Sequence, residues 1–330
     1  MRKALEDITI RACEIAKPKA GDIVIDIGCN DGTLLRTYNI PELRLVGFEP
    51  AKNLIEEAKR GTEYVFNDFF RSELFLQKFL RSRAKIITSI AMLYDLDDPG
   101  TFVSDIVKVL DPHGIWVVQQ NYLCSMLEQN GFDNVGHEHL TYYSLDTMSR
   151  LLQDHDLEIF DVEKNDVNGG SFRTYIARKG RFLVQDSVQK MRDFEAELFS
   201  RNPSIYTTFV SNVQGIKLQL KKFINDQTGA GKVVYVYGAS TRGNTILQYC
   251  GLDNRLIKKA TDANPEKWGL RIPGTGIPVV SKTEARHDKP DYFLILPHHF
   301  LEEICKEEGR YLNSGGKFIV PLPRFRIVSA

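Results

Sequence analysis

The sequence predicts an α/β protein made of two Rossmann-like units, each a mostly parallel sheet covered by helices, joined by a helical linker. Three observations predict it. Between residues 22 and 120, short apolar β-rich runs alternate with helical patterns. Residues 183–227 are long, charged and helical, interrupted only at Asn202-Pro203. From Lys232 the strand–helix alternation resumes. Such alternation requires crossover connections, so the strands are parallel and buried on both faces, and ligands gather at their carboxyl ends. A chain of 330 residues is long enough for two cores. The boundaries read as 1–180 for the first domain, 181–229 for the linker and 230–330 for the last domain.

The first strand, Ile23–Ile27, runs into Gly28-Cys29-Asn30-Asp31-Gly32-Thr33-Leu34-Leu35. An apolar run ending in Asp26 and followed by two spaced glycines reads as a buried strand turning sharply into a helix. The glycines let backbone approach a ligand, and the first N–H groups of a helix can hold a polar group. At the end of the second strand, Leu43–Phe48, Glu49-Pro50 places a carboxylate where a ribose diol needs an acceptor. This pairing resembles the S-adenosylmethionine site of class I methyltransferases, with Asn30 at the middle glycine of D/E-x-G-x-G-x-G. A nicotinamide dinucleotide fold is the rival reading, although G-x-G-x-x-G does not occur in the loop. Tyr64–Phe66, Lys85–Ile90 and Ile115–Gln119 supply further strands, with helices at Leu54–Arg60 and Phe102–Leu110 between them. Asp111-Pro112-His113-Gly114 reads as a turn. A helix near Leu145–Gln153 precedes strands at Leu157–Val162 and Ser171–Ala177.

The linker places Phe209, Val213, Ile216, Leu218, Leu220 and Phe223 near helical spacing, as a packed connecting arm does. The last domain opens with the strand Val233–Tyr237, the loop Gly238-Ala239-Ser240-Thr241-Arg242-Gly243-Asn244 and a helix at Thr245–Cys250. A strand reaching Thr261-Asp262, strands at Tyr292–Leu296 and Lys317–Val320, and a helix near Leu301–Leu312 complete it.

Equal numbers of acidic and basic residues argue against a general nucleic-acid binder. The longest apolar runs are strand-length, and Met1-Arg2-Lys3-Ala4-Leu5-Glu6-Asp7 lacks a signal-peptide core. The expectation is a soluble, cytoplasmic protein without a membrane partner, monomeric or a small homo-oligomer. Five dispersed cysteines without C-x-x-C spacing fit reduced thiols, and Cys29 reads as a small residue in its loop.

The densest polar cluster is Asn134-Val135-Gly136-His137-Glu138-His139-Leu140-Thr141-Tyr142-Tyr143-Ser144. Three roles stand open for it: a general base tuned by a carboxylate, the cap of the helix that follows, and a metal site. H-x-H without a further ligand set points weakly to metal, and none is expected. The loop Gly238 to Thr245 combines small residues, hydroxyls and a guanidinium, as a pyrophosphate cradle does. Asp262 ends the next strand as a ribose-binding acid would, so a nicotinamide or another nucleotide fits, and so does a plain tight turn. Asn168-Gly169-Gly170-Ser171-Phe172-Arg173 reads as a hairpin turn or as part of a substrate pocket. His298-His299 reads as a surface pair at a strand end.

Taken together, the motifs resemble the sugar C-methyltransferases that act on nucleotide-linked deoxyketosugars. The carriers are Ile27-Gly28-Cys29-Asn30-Asp31-Gly32-Thr33, Met92-Leu93-Tyr94-Asp95-Leu96-Asp97-Asp98-Pro99, His137-Glu138-His139 and Gly169-Gly170-Ser171-Phe172-Arg173. Tyr237 to Thr245, Pro273-Gly274-Thr275-Gly276-Ile277-Pro278 and Pro321-Leu322-Pro323 follow in the same order. The resemblance implies a seven-stranded class I methyltransferase domain that binds S-adenosylmethionine through Asp26, Gly28, Asn30, Asp31, Gly32, Glu49, Pro50, Asp68, Ile90 and Met92. It implies His139 as the general base with Glu138 beside it. It implies a nucleotide-diphosphate sugar held by His137, Tyr142, Asn168, Gly170, Ser171, Arg173, Gly238, Ala239, Ser240, Arg242, Asn244 and Asp262. The family usually opens with a cysteine-rich zinc-binding domain, whereas this sequence starts directly at the cofactor domain, so zinc is not expected. Gly136 stands where a tyrosine is typical, Arg242 where a phosphate-loop lysine is, and His298 where a tryptophan is common.

Overall fold

A computed structural model describes residues 2–330. The described chain folds as two compact units, residues 2–124 with 140–201 and residues 125–139 with 202–330. This differs from the division expected at 180 and 230. The linker is shared out: the helix Asp186–Arg201 belongs to the first unit, and the helix Ile205–Gly229 belongs to the second. Residues 125–139 also belong to the second unit, because Phe132 is buried in its core among Ile246, Leu247 and Val213.

The first unit holds a seven-stranded sheet of β1 (Ile23–Ile27), β2 (Arg44–Phe48), β3 (Tyr64–Phe66), β4 (Ala84–Ile90), β5 (Leu110–Asn121), β6 (Leu157–Asn165) and β7 (Ser171–Arg178). Their spatial order is β3-β2-β1-β4-β5-β7-β6. The first five are parallel, and β7 runs antiparallel to both β5 and β6. β1 is buried along its whole length, as a continuous apolar run in a sheet covered on both faces requires. Ile23, Ile25 and Ile27 enter one core and Val24 the other, by the alternation of a strand. Asp26 falls on the Val24 face and is itself buried.

Three local expectations change. The glycine loop is followed by a single 3-10 turn, Leu35–Thr37, rather than an α-helix, since only a few residues separate Gly32 from Asn39-Ile40-Pro41. The helix expected at Leu54–Arg60 is a 3-10 turn plus Ile55–Ala58. Residues 111–114 do not precede β5 as a separate turn but bulge from it, standing opposite Lys85 alone. Elsewhere the caps match the sequence. Pro99 opens the helix Pro99–Val109 with Asp98 as N-cap, and Ser144 and Thr147 form a capping box on Leu145–Gln153.

The second unit holds β8 (Val234–Tyr237), β9 (Lys259–Thr261), β10 (Val279–Val280), β11 (Tyr292–Ile295), β12 (Lys317–Val320) and β13 (Arg326–Val328). Their order is β10-β9-β8-β11-β12-β13, parallel except for the last strand. β10 and β13 are too short to stand out in the sequence. The helix after β8 begins at Thr241, four residues earlier than expected, because the Ser240 hydroxyl caps it by accepting the Gly243 N–H at 3.1 Å. Gly251 at φ 65° ends that helix in the left-handed conformation. The expected helix Leu301–Leu312 is two, Leu301–Glu307 and Gly309–Asn313.

Candidate active site

In the first unit the loop after β1 folds back over the end of β2. The Gly28 and Cys29 N–H groups donate to the Phe48 carbonyl at 2.9 and 3.0 Å. The Asn30 N–H donates to Glu49 Oε2 at 2.9 Å, while Ala51 N–H donates to Glu49 Oε1 at 2.8 Å. Asn30 has φ 52°, the left-handed region that asparagine tolerates best after glycine. That is why it can occupy a glycine position. Gly32, at φ +77°, has no such latitude, because a Cβ there would lie 2.9 Å from the Ala58 carbonyl oxygen. Gly47 is needed too, as its Cβ would meet Cys29 Sγ at 2.6 Å.

Around this loop the structure gathers Asp26, Gly28, Asn30, Glu49 and Met92. The Thr88 hydroxyl donates to Asp26 Oδ1 at 2.5 Å, and the Met92 side chain packs against Gly28. Burial pushes the Asp26 carboxyl up to about 7, against the Thr88 hydrogen bond and with help from the nearby Glu49 charge. Asp31 accepts from its neighbour Thr33, which holds its carboxyl below the ordinary range. Pro50 is tied down through its carbonyl by Asn67, and Asp68 pairs with Arg71 at 2.8 Å. Ile90 ends β4, and Ala91 continues it at φ 56° with its N–H donated to the Gln119 carbonyl. One group at this edge was not visible in sequence: the buried Gln120 carboxamide, which has no hydrogen-bond partner among the described residues.

The β6–β7 hairpin carries the next expected set. Asn168, Gly169 and Gly170 all have positive φ, which makes the tight turn, and Ser171 Oγ donates to the Val167 carbonyl. Arg173 is 3% exposed, and its donors go to Gln119, Glu163 and Asp7 of the N-terminal helix Arg2–Ala16. That makes it a tie between helix and sheet. Glu195 is a further buried acid that no sequence motif marked. It accepts Tyr122 O–H, Leu145 N–H and Asp146 N–H, and so caps the helix Leu145–Gln153. Its position in register with Val188 and Met191 on one helix face was the available signal. Tyr142, half-buried, belongs to the first unit as well.

His137-Glu138-His139 belongs to the second unit. His137 and Glu138 are exposed and His139 is half-buried. His139 Nδ1 lies 2.7 Å from the Asn134 carbonyl oxygen. A carbonyl only accepts, so Nδ1 carries the hydrogen, and in the neutral ring Nε2 keeps its lone pair. The capping role open to the cluster Asn134–Ser144 falls to its last residue, Ser144, and not to the histidines.

At the carboxyl ends of β8 and β11 the phosphate-type loop takes an unexpected form. Arg242 Nε and Nη2 both reach Asp133 Oδ2, at 2.9 and 2.7 Å. His299 Nε2 stands 3.7 Å from the same oxygen, and its ring lies 3.7 Å from that of His298. His298 and His299 are thus no surface pair. Burial pushes the His298 imidazole down to about 4, so it stays neutral. Asp133 is raised by its burial, but His299 and Arg242 outweigh that and hold it below the ordinary range. Asp133, His298 and His299 offer metal-ligand atoms within 4.8 Å of one another. The guanidinium already neutralises that carboxylate, which makes the cluster a poor host for a dication. Asp262 accepts the Ala239 N–H at 2.9 Å and the Lys267 ammonium at 3.1 Å, the counterpart of Glu49 and Asn30 in the first unit. Gly238 packs against Pro297, and the buried Asn244 Oδ1 has no hydrogen-bond partner among the described residues.

Residues 1–162 match the methyltransferase domain model and residues 166–323 the C-methyltransferase C-terminal domain model. The C-methyltransferase NovU of Streptomyces niveus is 31% identical over 94% of this chain and 74% of its own length. The chain belongs to the C-methyltransferase family. Similar solved structures include an S-adenosylmethionine-dependent methyltransferase from Clostridium acetobutylicum, 14% identical over 55% of this chain and 93% of that one, with a TM-score of 0.44. The magnesium protoporphyrin IX methyltransferase of Synechocystis is 12% identical over 54% of this chain and 83% of that one, with a TM-score of 0.43. The glycine loop after β1 is therefore that of a methyltransferase, and the nicotinamide reading of the fold falls. No helix among the described residues is long and apolar enough to cross a membrane.

Proposed function

We propose that this C-methyltransferase uses S-adenosylmethionine to methylate the carbon beside the ketone of a nucleotide-diphosphate-linked sugar, with His139 as the general base. The observation that carries the reading is the 2.7 Å contact of His139 Nδ1 with the Asn134 carbonyl, which leaves Nε2 as the basic atom. A hydrogen on a carbon next to a ketone is acidic because the enolate spreads its charge onto oxygen. His139 Nε2 takes that proton and becomes an imidazolium that donates through both nitrogens, still anchored at Asn134.

Asp26, Gly28, Asn30, Asp31, Gly32, Glu49, Pro50, Asp68, Ile90 and Met92 would hold the methyl donor. The loop fits a cationic, ribose-bearing molecule. Asp26 and Glu49 are two buried acids close enough to raise the Asp26 carboxyl. When bound, S-adenosylmethionine supplies an electrophilic methyl group to the enolate carbon and leaves as a neutral thioether. The second unit would hold the nucleotide diphosphate on the backbone N–H groups and hydroxyls of the loop Gly238 to Asn244, with Asp262 toward a ribose and His137 toward the sugar. The five free thiols accord with work in a reducing cytoplasm.

Deuterium exchange from solvent into a nucleotide-linked ketosugar tests the base. Wild type should exchange the α-hydrogen without the methyl donor, and His139→Ala should lose exchange and methyl transfer together. Methyl transfer near the wild-type rate in His139→Ala would overturn the assignment.

A further inference from the structure

We infer that Arg242 and Asp133 form a positioning clamp for His139, and that Arg242 serves the base rather than the diphosphate. The inference rests on the reading of His139 as the base, and every contact it uses lies within the second unit.

Asp133 and Asn134 are neighbours in the 3-10 turn Phe132–Asn134. The Asn134 carbonyl that receives His139 Nδ1 also receives the Gly136 N–H at 3.0 Å, and His139 N–H donates to the Gly136 carbonyl at 3.2 Å. The imidazole therefore hangs from a chain of short bonds whose fixed end is the turn. The turn is held at three points. Asn130 donates through Nδ2 to the Pro323 carbonyl and accepts the Asn212 amide, each at 3.1 Å. Phe132 is buried in the core against Tyr249, with ring centroids 5.3 Å apart. Asp133, with a side chain only 1% exposed, accepts Arg242 Nε on Oδ2 at 2.9 Å and keeps Nη2 in ion-pair range of the same oxygen at 2.7 Å.

Arg242 can act as a clamp because of where it stands. It is the second residue of the helix Thr241–Cys250, whose first turn is pressed onto the end of β11: a Cβ on Gly243 would lie 2.6 Å from Leu296 Cδ1. The guanidinium is thus delivered by a helix end that cannot shift without opening the core. Its charge is spent on a buried carboxylate, and a phosphate approaching it would meet that carboxylate too. A lysine would offer a point charge without the directed Nε–H bond and the planar guanidinium beside the carboxylate. A displacement of the turn by an ångström carries His139 with it, and misplacement on that scale can lower a rate about a hundredfold.

The test is steady-state kinetics of the full chain with a nucleotide-linked ketosugar, alongside solvent deuterium exchange and 15N NMR of the histidine side chains. Arg242→Gln should lower kcat and the exchange rate by about the same factor, on the order of a hundredfold, with KM for the sugar nucleotide within about threefold. Its His139 ring should lose the pure Nδ1–H tautomer. The double variant Asp133→Asn/Arg242→Gln leaves no unpaired buried charge and is the measurement of record if the single variant does not fold. It should be no slower than Arg242→Gln, because the two residues act as one unit.

A tenfold or larger rise in KM at unchanged kcat would make Arg242 a phosphate ligand and overturn the clamp. Loss of kcat on treatment with a chelator, matched by restoration with a divalent metal, would overturn it in favour of a metal at Asp133, His298 and His299. The NMR arm needs no substrate. If wild type fails to act on any ketosugar nucleotide while the tautomer still depends on Arg242, the proposed reaction is wrong and the clamp stands.

Discussion

Asp26→Asn should stabilise the first unit at alkaline pH, by an amount that grows as pH rises. The carboxyl titrates near 7 in the folded protein against an ordinary value of 3.8. The folded state therefore holds the proton more tightly than the unfolded chain. The stability that comes with that proton is present in full below pH 3.8 and is lost as pH climbs through 7. A shift of roughly three pKa units corresponds to about 4 kcal/mol, at about 1.4 kcal/mol per unit. At pH 8 the wild-type carboxylate is ionised in a buried site where the Thr88 hydroxyl is its side-chain partner among the described residues, whereas an asparagine amide can donate to that same hydroxyl oxygen. The advantage of Asp26→Asn at pH 8 should exceed that at pH 5.5 by about 2 kcal/mol. Guanidinium unfolding of both proteins at both pH values measures it, followed by the fluorescence of Trp116, which is buried in the first unit. The variant should also bind S-adenosylmethionine more weakly, having lost the charge that awaits a cation. A stability difference that does not change between pH 5.5 and 8 would refute the reasoning, since it would mean that Asp26 is ionised throughout.

Other substitutions probe other joints of the structure. Asn30→Gly should leave stability and cofactor affinity within about 0.5 kcal/mol of wild type, whereas Asn30→Ala should cost about 1 kcal/mol by thermal unfolding, because of φ 52°. Arg173→Met should destabilise the first unit by about 3 kcal/mol through the loss of its buried bonds to Gln119 and Glu163, with KM for the sugar nucleotide unchanged. A raised KM at wild-type stability would return Arg173 to the substrate pocket. Glu195→Gln should cost about 1.5–3 kcal/mol in denaturant unfolding, since an amide nitrogen cannot accept one of the three donors that the carboxylate receives.

The parts that were legible in the sequence are those where one residue's chemistry decides a local shape. Continuous apolar runs marked β1, β4 and β8, and the spacing of Gly28 and Gly32 marked the loop above β1. Elements set by packing were hidden. Nothing within Thr33–Tyr38 announces that the usual helix shrinks to one 3-10 turn. The two-residue strand β10 exists only because β9 offers it an edge. The site divides in the same way. Asp26, Glu49 and Met92 come together as their motifs implied, because all three sit at the carboxyl edge of one sheet. Arg242 carries the right type for a phosphate ligand, yet it meets a partner 109 residues away, a pairing no local pattern encodes. Asp133 and the histidine pair were illegible for that reason.

Methyl transfer to carbon, rather than to oxygen, can be read in one measurement. The protein is incubated with S-adenosylmethionine carrying a 13C-labelled methyl group and a panel of nucleotide-linked ketosugars, and the product is read by mass spectrometry and 13C NMR. The expected product carries a single added labelled methyl, with its resonance in the range of a methyl on carbon and coupled to the neighbouring ring carbon of a 13C-enriched sugar. A label found on oxygen, or a ketosugar panel returned unmethylated while S-adenosylmethionine binds, would contradict transfer to carbon.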